Sequence, residues 1–170
     1  MKNNIEKLYK ASGYLSGFCI ITIVLIILAQ IIGRLLGFIV PSAEDFSGYA
    51  LAASTFFGLA YTFRQGGHIR VTLLIQHLPE KLRYFQELFI LVGALLLMVF
   101  LTYSCAYMVW ESYDFEEVSY GYIAIPLWIP QLPMAIGALA FTLAIFHSLV
   151  ELLTGKTLSY REHENELEEM

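Results

Sequence analysis

Residues 11–33 read ASGYLSGFCIITIVLIILAQIIG, a run without one Asp, Glu, Lys or Arg. Crossing a bilayer takes roughly 20 predominantly apolar residues at about 1.5 Å each. This run is therefore long enough to cross unaided. Three further apolar stretches follow, over 46–63, 84–110 and 131–153, and none places an ionisable residue near its middle. The pattern predicts an all-α membrane protein with four transmembrane helices. Only short loops and a tail remain, so residues 1–170 are read as a single membrane domain.

Composition agrees. Hydrophobic residues make up 58% of the 170 positions and charged residues 15%, far from the balance of a soluble domain. The formal charge of −5 is an uneven average. Glu162, Glu164, Glu166, Glu168 and Glu169 crowd an acidic tail over 155–170, read as a solvated end. No basic patch outside the membrane flanks supports nucleic-acid binding. Cys19 and Cys105 fall inside apolar runs at different expected depths, which argues against a disulfide between them. Lys2, Lys7 and Lys10 before the first run resemble the start of a signal peptide. The run is long and lacks an A-x-A site, so it is read as an uncleaved first helix.

The loops differ in basic residues. The N-terminus has three lysines, the second loop Arg64, Arg70, Lys81 and Arg83, and the tail Lys156 and Arg161. The first loop has only Arg34. The third has Glu111, Asp114, Glu116 and Glu117 and no Lys or Arg. Positive charge collects on the cytoplasmic side, which predicts both termini and the second loop inside. Trp110, Tyr113, Tyr120, Tyr122 and Trp128 then mark the outer interface. Pro126, Pro130 and Pro133 each remove a backbone donor, which predicts a segment running along that interface before the fourth helix.

After the second span comes Arg64-Gln65-Gly66-Gly67-His68-Ile69-Arg70, then Val71, Leu74, Ile75 and Leu78 at helical spacing, closed by Pro79. The glycine pair permits a sharp turn. The spacing predicts a short amphipathic helix over about 70–78 in the cytoplasmic interface. Leu74 and Ile75 would be seated in lipid, with Arg64 and Arg70 near phosphates. An ordinary irregular loop is the alternative.

The chain offers little for chemistry. Only His147 lies inside a span, so paired axial ligands for haem are not supplied. A proton-coupled carrier would use a membrane-embedded carboxylate, and none is central. No zinc spacing, phosphate-binding glycine loop or nucleophile elbow occurs. The reading is of a non-enzyme that needs no cofactor or metal. Arg34 is the one charge set in apolar sequence. It either snorkels outward from a helix ending near Gly33, or lies buried against Glu44 or Asp45 if the helix continues toward Val40. Small residues recur every four positions at Ala50, Ser54 and Gly58, followed by Thr62, and again at Ala140, Ala144 and Ser148. They permit close helix approach, either within the chain or with another subunit.

These motifs resemble the small membrane subunit of tripartite ATP-independent periplasmic (TRAP) transporters, the DctQ-like family. The resemblance rests on Arg34, the acidic pair Glu44 and Asp45, Gly58, Arg64, the run from Gly66 to Val71, and Leu78-Pro79. The segment Pro126-Leu127-Trp128-Ile129-Pro130, with Gln131 and Gly137, fits the family's fourth helix. Two places depart from it. Pro41-Ser42-Ala43 stands where many members have an aromatic residue, and Thr72 where many have Asp. The resemblance implies a non-catalytic scaffold in a sodium-coupled importer of carboxylates, of the C4-dicarboxylate or sialic acid class. Its partners would be a large elevator-type membrane subunit, held stably, a periplasmic substrate-binding protein met transiently, and membrane lipids. The alternative is a self-sufficient small transporter working as a homo-oligomer.

Overall fold

A computed structural model describes residues 2–65 and 80–154. The predicted interfacial helix, with Gly66, Gly67, His68, Arg70, Leu74 and Ile75, and the acidic tail lie outside the described residues. Within them are four helices: α1 Lys2–Leu35, α2 Ala43–Arg64, α3 Glu80–Asp114 and α4 Trp128–Leu153. Each contains one of the predicted spans and runs beyond it. At about 1.5 Å per residue, the 34 residues of α1 and the 35 of α3 reach about 50 Å. A hydrocarbon core is about 30 Å thick, so such helices must tilt or project from it.

Local chemistry sets the ends. Gly37 adopts φ 83°, a conformation open to glycine at no steric cost. Its N–H donates to the Arg34 carbonyl at 3.3 Å, and the Phe38 N–H donates to the Gly33 carbonyl at 3.0 Å. This pair of bonds is a Schellman cap, and it stops α1 at Leu35. Phe38 folds back over Gly33, where an added Cβ would meet its ring at 3.0 Å. At the other end of the turn, Ser42 precedes α2 with φ 53° and makes no side-chain cap. Its hydroxyl instead accepts the Ile123 N–H at 3.0 Å. Glu44 and Asp45 in the first turn and Arg64 in the last are matched to the helix dipole.

The proline-rich entry to α4 differs from expectation. The helix begins at Trp128 rather than at the expected Gln131, and takes in Pro130 as well as Pro133. Pro130 falls in the first turn, where the missing N–H has no intrahelical acceptor to lose. Pro133 costs one bond near the start and leaves the helix continuous. The preceding loop is tied by bonds from the Ser119 N–H to the Ile125 carbonyl and from the Leu127 N–H to the Glu117 carbonyl, both 2.9 Å.

The helices form an array with α2 and α4 in its middle. α1 packs chiefly on α2, and α3 on α4. Small residues govern both flanking contacts. Ser16 donates to the Ser54 carbonyl at 2.8 Å, Ser12 donates to the Phe57 carbonyl, and a Cβ on Gly58 would lie 3.1 Å from the Ser16 hydroxyl. The stripe of Ser54 and Gly58 is thus used inside the chain, against α1. Ala50 is half-buried, and Thr62 at the end of the stripe is exposed. On the other side, the Thr102 and Thr142 hydroxyls meet at 2.8 Å. Such bonds contribute about 0.6–2 kcal/mol each in an apolar medium.

The shared core holds Ala60, Phe63, Phe141, Ala144 and Ile145. The rings of Phe63 and Phe141 meet edge to face at 5.6 Å. Cys19 and Cys105 are both free thiols. Ser54→Leu should cost about 1–3 kcal/mol by forcing α1 from α2. Thr55→Leu, one position on and exposed, should be near neutral. Thermal unfolding in detergent compares the two.

Among the described residues, three stretches are long and apolar enough to cross a membrane: Glu6–Leu35, Tyr84–Asp114 and Trp128–Leu153. α2 is not among them. It carries Ser47, Ser54, Thr55, Tyr61 and Thr62 between its charged ends and is flanked by α1 and α4. A central helix sheltered on two sides tolerates such polarity, since its hydroxyls find backbone and neighbour acceptors.

Candidate functional site

The buried charge of the bundle gathers at one end, where α1 begins and α2 and α4 finish. Arg64 stands in the last turn of α2 with its side chain 5% exposed. Glu151, in the last turn of α4, is 8% exposed. The guanidinium meets the carboxylate with both arms, Nη1 to Oε2 at 3.3 Å and Nη2 to Oε1 at 3.4 Å. This two-armed geometry suits the planar guanidinium. Nη1 also reaches the fully buried Ser148 hydroxyl at 3.5 Å. The guanidinium carbon lies 5.4 Å from the centre of the Tyr9 ring on α1, within range of a cation–π contact. His147 Nε2 sits 3.7 Å from Glu151 Oε1, while its Nδ1 is buried without a partner among the described residues. Glu87 on α3 is buried as well. One ion pair thus ties together the ends of α1, α2 and α4.

Arg64 corrects the sequence reading, which placed it in the second loop near lipid phosphates. Its helix runs one residue further than expected, and the side chain turns inward to Glu151. Glu151, Tyr9 and Ser148's contact with Arg64 were missed. A signal existed. Alternating spans put the ends of the second and fourth on one side, so lone opposite charges in their last turns stand at the same level.

The other end is built around the α1–α2 turn. Arg34 is exposed, as a helix ending at Leu35 dictates, and its Nη2 approaches Glu44 Oε1 at 4.0 Å. Their side chains are 70% and 83% exposed, so the contact contributes little. The snorkelling reading thus describes its exposure, and the expected neighbour is Glu44. Asp45 is half-buried, with Oδ2 set so close against Gly121 of the α3–α4 loop that an added Cβ would clash with it. A cleft of about 330 Å³ opens here between turn and loop. Trp128 packs edge to face on Tyr113 at 5.9 Å, tying the start of α4 to the end of α3. Among the described residues, no group of three or more His, Cys, Asp or Glu is placed to hold a metal ion.

Between these polar ends the flanking helices turn large apolar side chains outward. Phe18, Ile21, Leu25 and Leu28 on α1 are exposed, as are Phe89, Leu96, Leu97 and Phe100 on α3. So much exposed apolar surface requires a bilayer or a protein partner to cover it. The chain is an all-helical membrane protein. It belongs to the DctQ component family of tripartite ATP-independent periplasmic transporters, whose pattern matches residues 23–155. Among curated proteins, none matches it.

Proposed function

We propose that this chain is the non-catalytic scaffold subunit of a sodium-coupled secondary importer of carboxylates, of the C4-dicarboxylate or sialic acid class. It supports a large elevator-type membrane subunit that carries the substrate and ion sites. It meets a periplasmic substrate-binding protein transiently. All four helices cross the inner membrane of a bacterial cell, with both termini cytoplasmic, as one membrane domain. The observation that carries this reading is family membership joined to the arrangement of the bundle. Buried ionic groups gather at one end, apolar and small side chains fill the middle, and long apolar faces of α1 and α3 remain uncovered. Such a body is suited to packing against a partner and anchoring it in lipid.

Among the candidate residues, Ser54 and Gly58 fix the internal α1–α2 contact, with Ala50 half-buried one turn before them, and Arg64 the clamp. Arg34, Glu44, Asp45 and Trp128 shape the outer surface. Gly66, Gly67, His68, Arg70, Leu74 and Ile75 form an interfacial element that orients the subunit in lipid.

Proteoliposomes test the division of labour. Those holding both membrane subunits, with the binding protein and a sodium gradient, are expected to accumulate labelled C4-dicarboxylate or sialic acid. Those holding this chain alone are expected to accumulate neither. Uptake by the chain alone would instead establish the self-sufficient homo-oligomeric transporter.

A further inference from the structure

We infer that the cleft beside the α1–α2 turn binds the zwitterionic phosphoethanolamine headgroup of a phospholipid. Its walls carry both signs of charge. Gln30 and Arg34 come from the last turns of α1, Glu44 and Asp45 from the first turn of α2, and Tyr120 and Tyr122 from the α3–α4 loop.

These groups are left underused by the protein. Arg34 has five N–H donors, and among the described residues its one polar contact is the loose approach to Glu44 at 4.0 Å. Asp45 accepts no hydrogen bond from any described residue, although the close approach of Gly121 sets its carboxylate at the cleft. A guanidinium with free donors stands beside two carboxylates with free acceptors. A phosphate joined to a primary ammonium by a two-carbon tether presents the complementary pair at the same scale. The phosphate accepts from Arg34, and the ammonium donates to Glu44 and Asp45.

Position selects a lipid as the bearer of that headgroup. Arg34 lies one residue from the end of a stretch long and apolar enough to cross a membrane, and a guanidinium at such an end belongs at the level of the headgroups. Leu35, Leu36, Phe38 and Ile39 are exposed beside the cleft and offer a surface for acyl chains. The two carboxylates also discriminate. An anionic phosphatidylglycerol brings no ammonium to meet them. A phosphatidylcholine brings a quaternary ammonium without N–H donors.

The test uses the full-length chain in detergent, with phosphatidylethanolamine, phosphatidylglycerol, phosphatidylcholine or soluble phosphoethanolamine added. Retained lipid is counted by native mass spectrometry, and thermal unfolding is followed in parallel, since a ligand of the folded state raises its stability. Phosphatidylethanolamine is expected to be retained at one per chain and to raise the unfolding temperature above either other lipid. Arg34→Gln and Glu44→Gln alter exposed side chains and should fold. Each is expected to reduce retention about tenfold, the loss of one charge-assisted hydrogen bond. Equal retention of phosphatidylglycerol or phosphatidylcholine would overturn the assignment, as would full retention by both variants. A rise with soluble phosphoethanolamine equal to that with the lipid would overturn the lipid as source.

Discussion

Glu151→Ala is expected to lower the stability of the folded chain by about 3–5 kcal/mol, the usual cost of leaving one member of a buried ion pair alone. Arg64 is held by Glu151 on both arms and by Ser148, beneath the face of Tyr9. With the carboxylate gone, the guanidinium loses both arms of its pairing while its side chain stays buried. Water must then enter, or α2 and α4 must part. Arg64→Ala should be comparably harmful, since it takes the guanidinium away from the buried carboxylate of Glu151. The pair Arg64→Met with Glu151→Leu removes both charges while keeping much of the volume. It should recover most of the loss, because desolvation of two ions no longer opposes folding. Thermal unfolding of the purified variants in detergent measures all three. Single variants within about 1 kcal/mol of the parent would mean that the clamp is as weak as a surface pair.

Gly137→Ala should separate the two central helices. An added Cβ there would lie 2.7 Å from the carbonyl carbon and from the Cβ of Phe56 on α2. Backbone cannot rotate aside as a side-chain tip can, so α4 must move as a body. Overpacking of this kind costs about 1–3 kcal/mol. It outweighs the gain of up to about 1 kcal/mol that alanine brings to a helix interior. Gly93→Ala on α3 provides the contrast. An added Cβ there meets nothing within 4 Å, so the propensity gain should appear alone. Opposite signs of the change in unfolding temperature are expected at the two positions. A gain at both would show that α2 and α4 do not approach so closely.

Much of this fold was legible because its signals are local. Apolar length alone located all four helices, and the four-residue spacing of Ser54 and Gly58 marked a close helix contact. The spacing left open whether that contact was internal. The Ser16 hydroxyl, lying against both positions, resolves it in favour of α1. The end of α1 was ambiguous by several residues, because Leu35 through Val40 are nearly all apolar. Gly37 decided it through backbone conformation, which hydropathy does not register.

The ionic clamp escaped notice for a different reason. Arg64 reads as the first residue of a basic loop, and Glu151 lies unremarked near the end of the fourth apolar stretch. Their pairing crosses 87 positions of sequence. It emerges only when alternating spans are followed far enough to set the two helix ends side by side. The cleft beside the α1–α2 turn was partly legible. Arg34, Glu44 and Asp45 stood out as charges at span ends, but the loop residues Tyr120, Gly121 and Tyr122 that close over them gave no sequence sign of doing so.

We propose that this chain works as the smaller half of a stable pair. Native mass spectrometry tests it most directly, on the detergent-solubilised chain co-expressed with the large membrane subunit of its own transporter. The account predicts a complex with one copy of each subunit, and little of this chain outside it. Homo-oligomers of this chain, with the large subunit running separately, would contradict it.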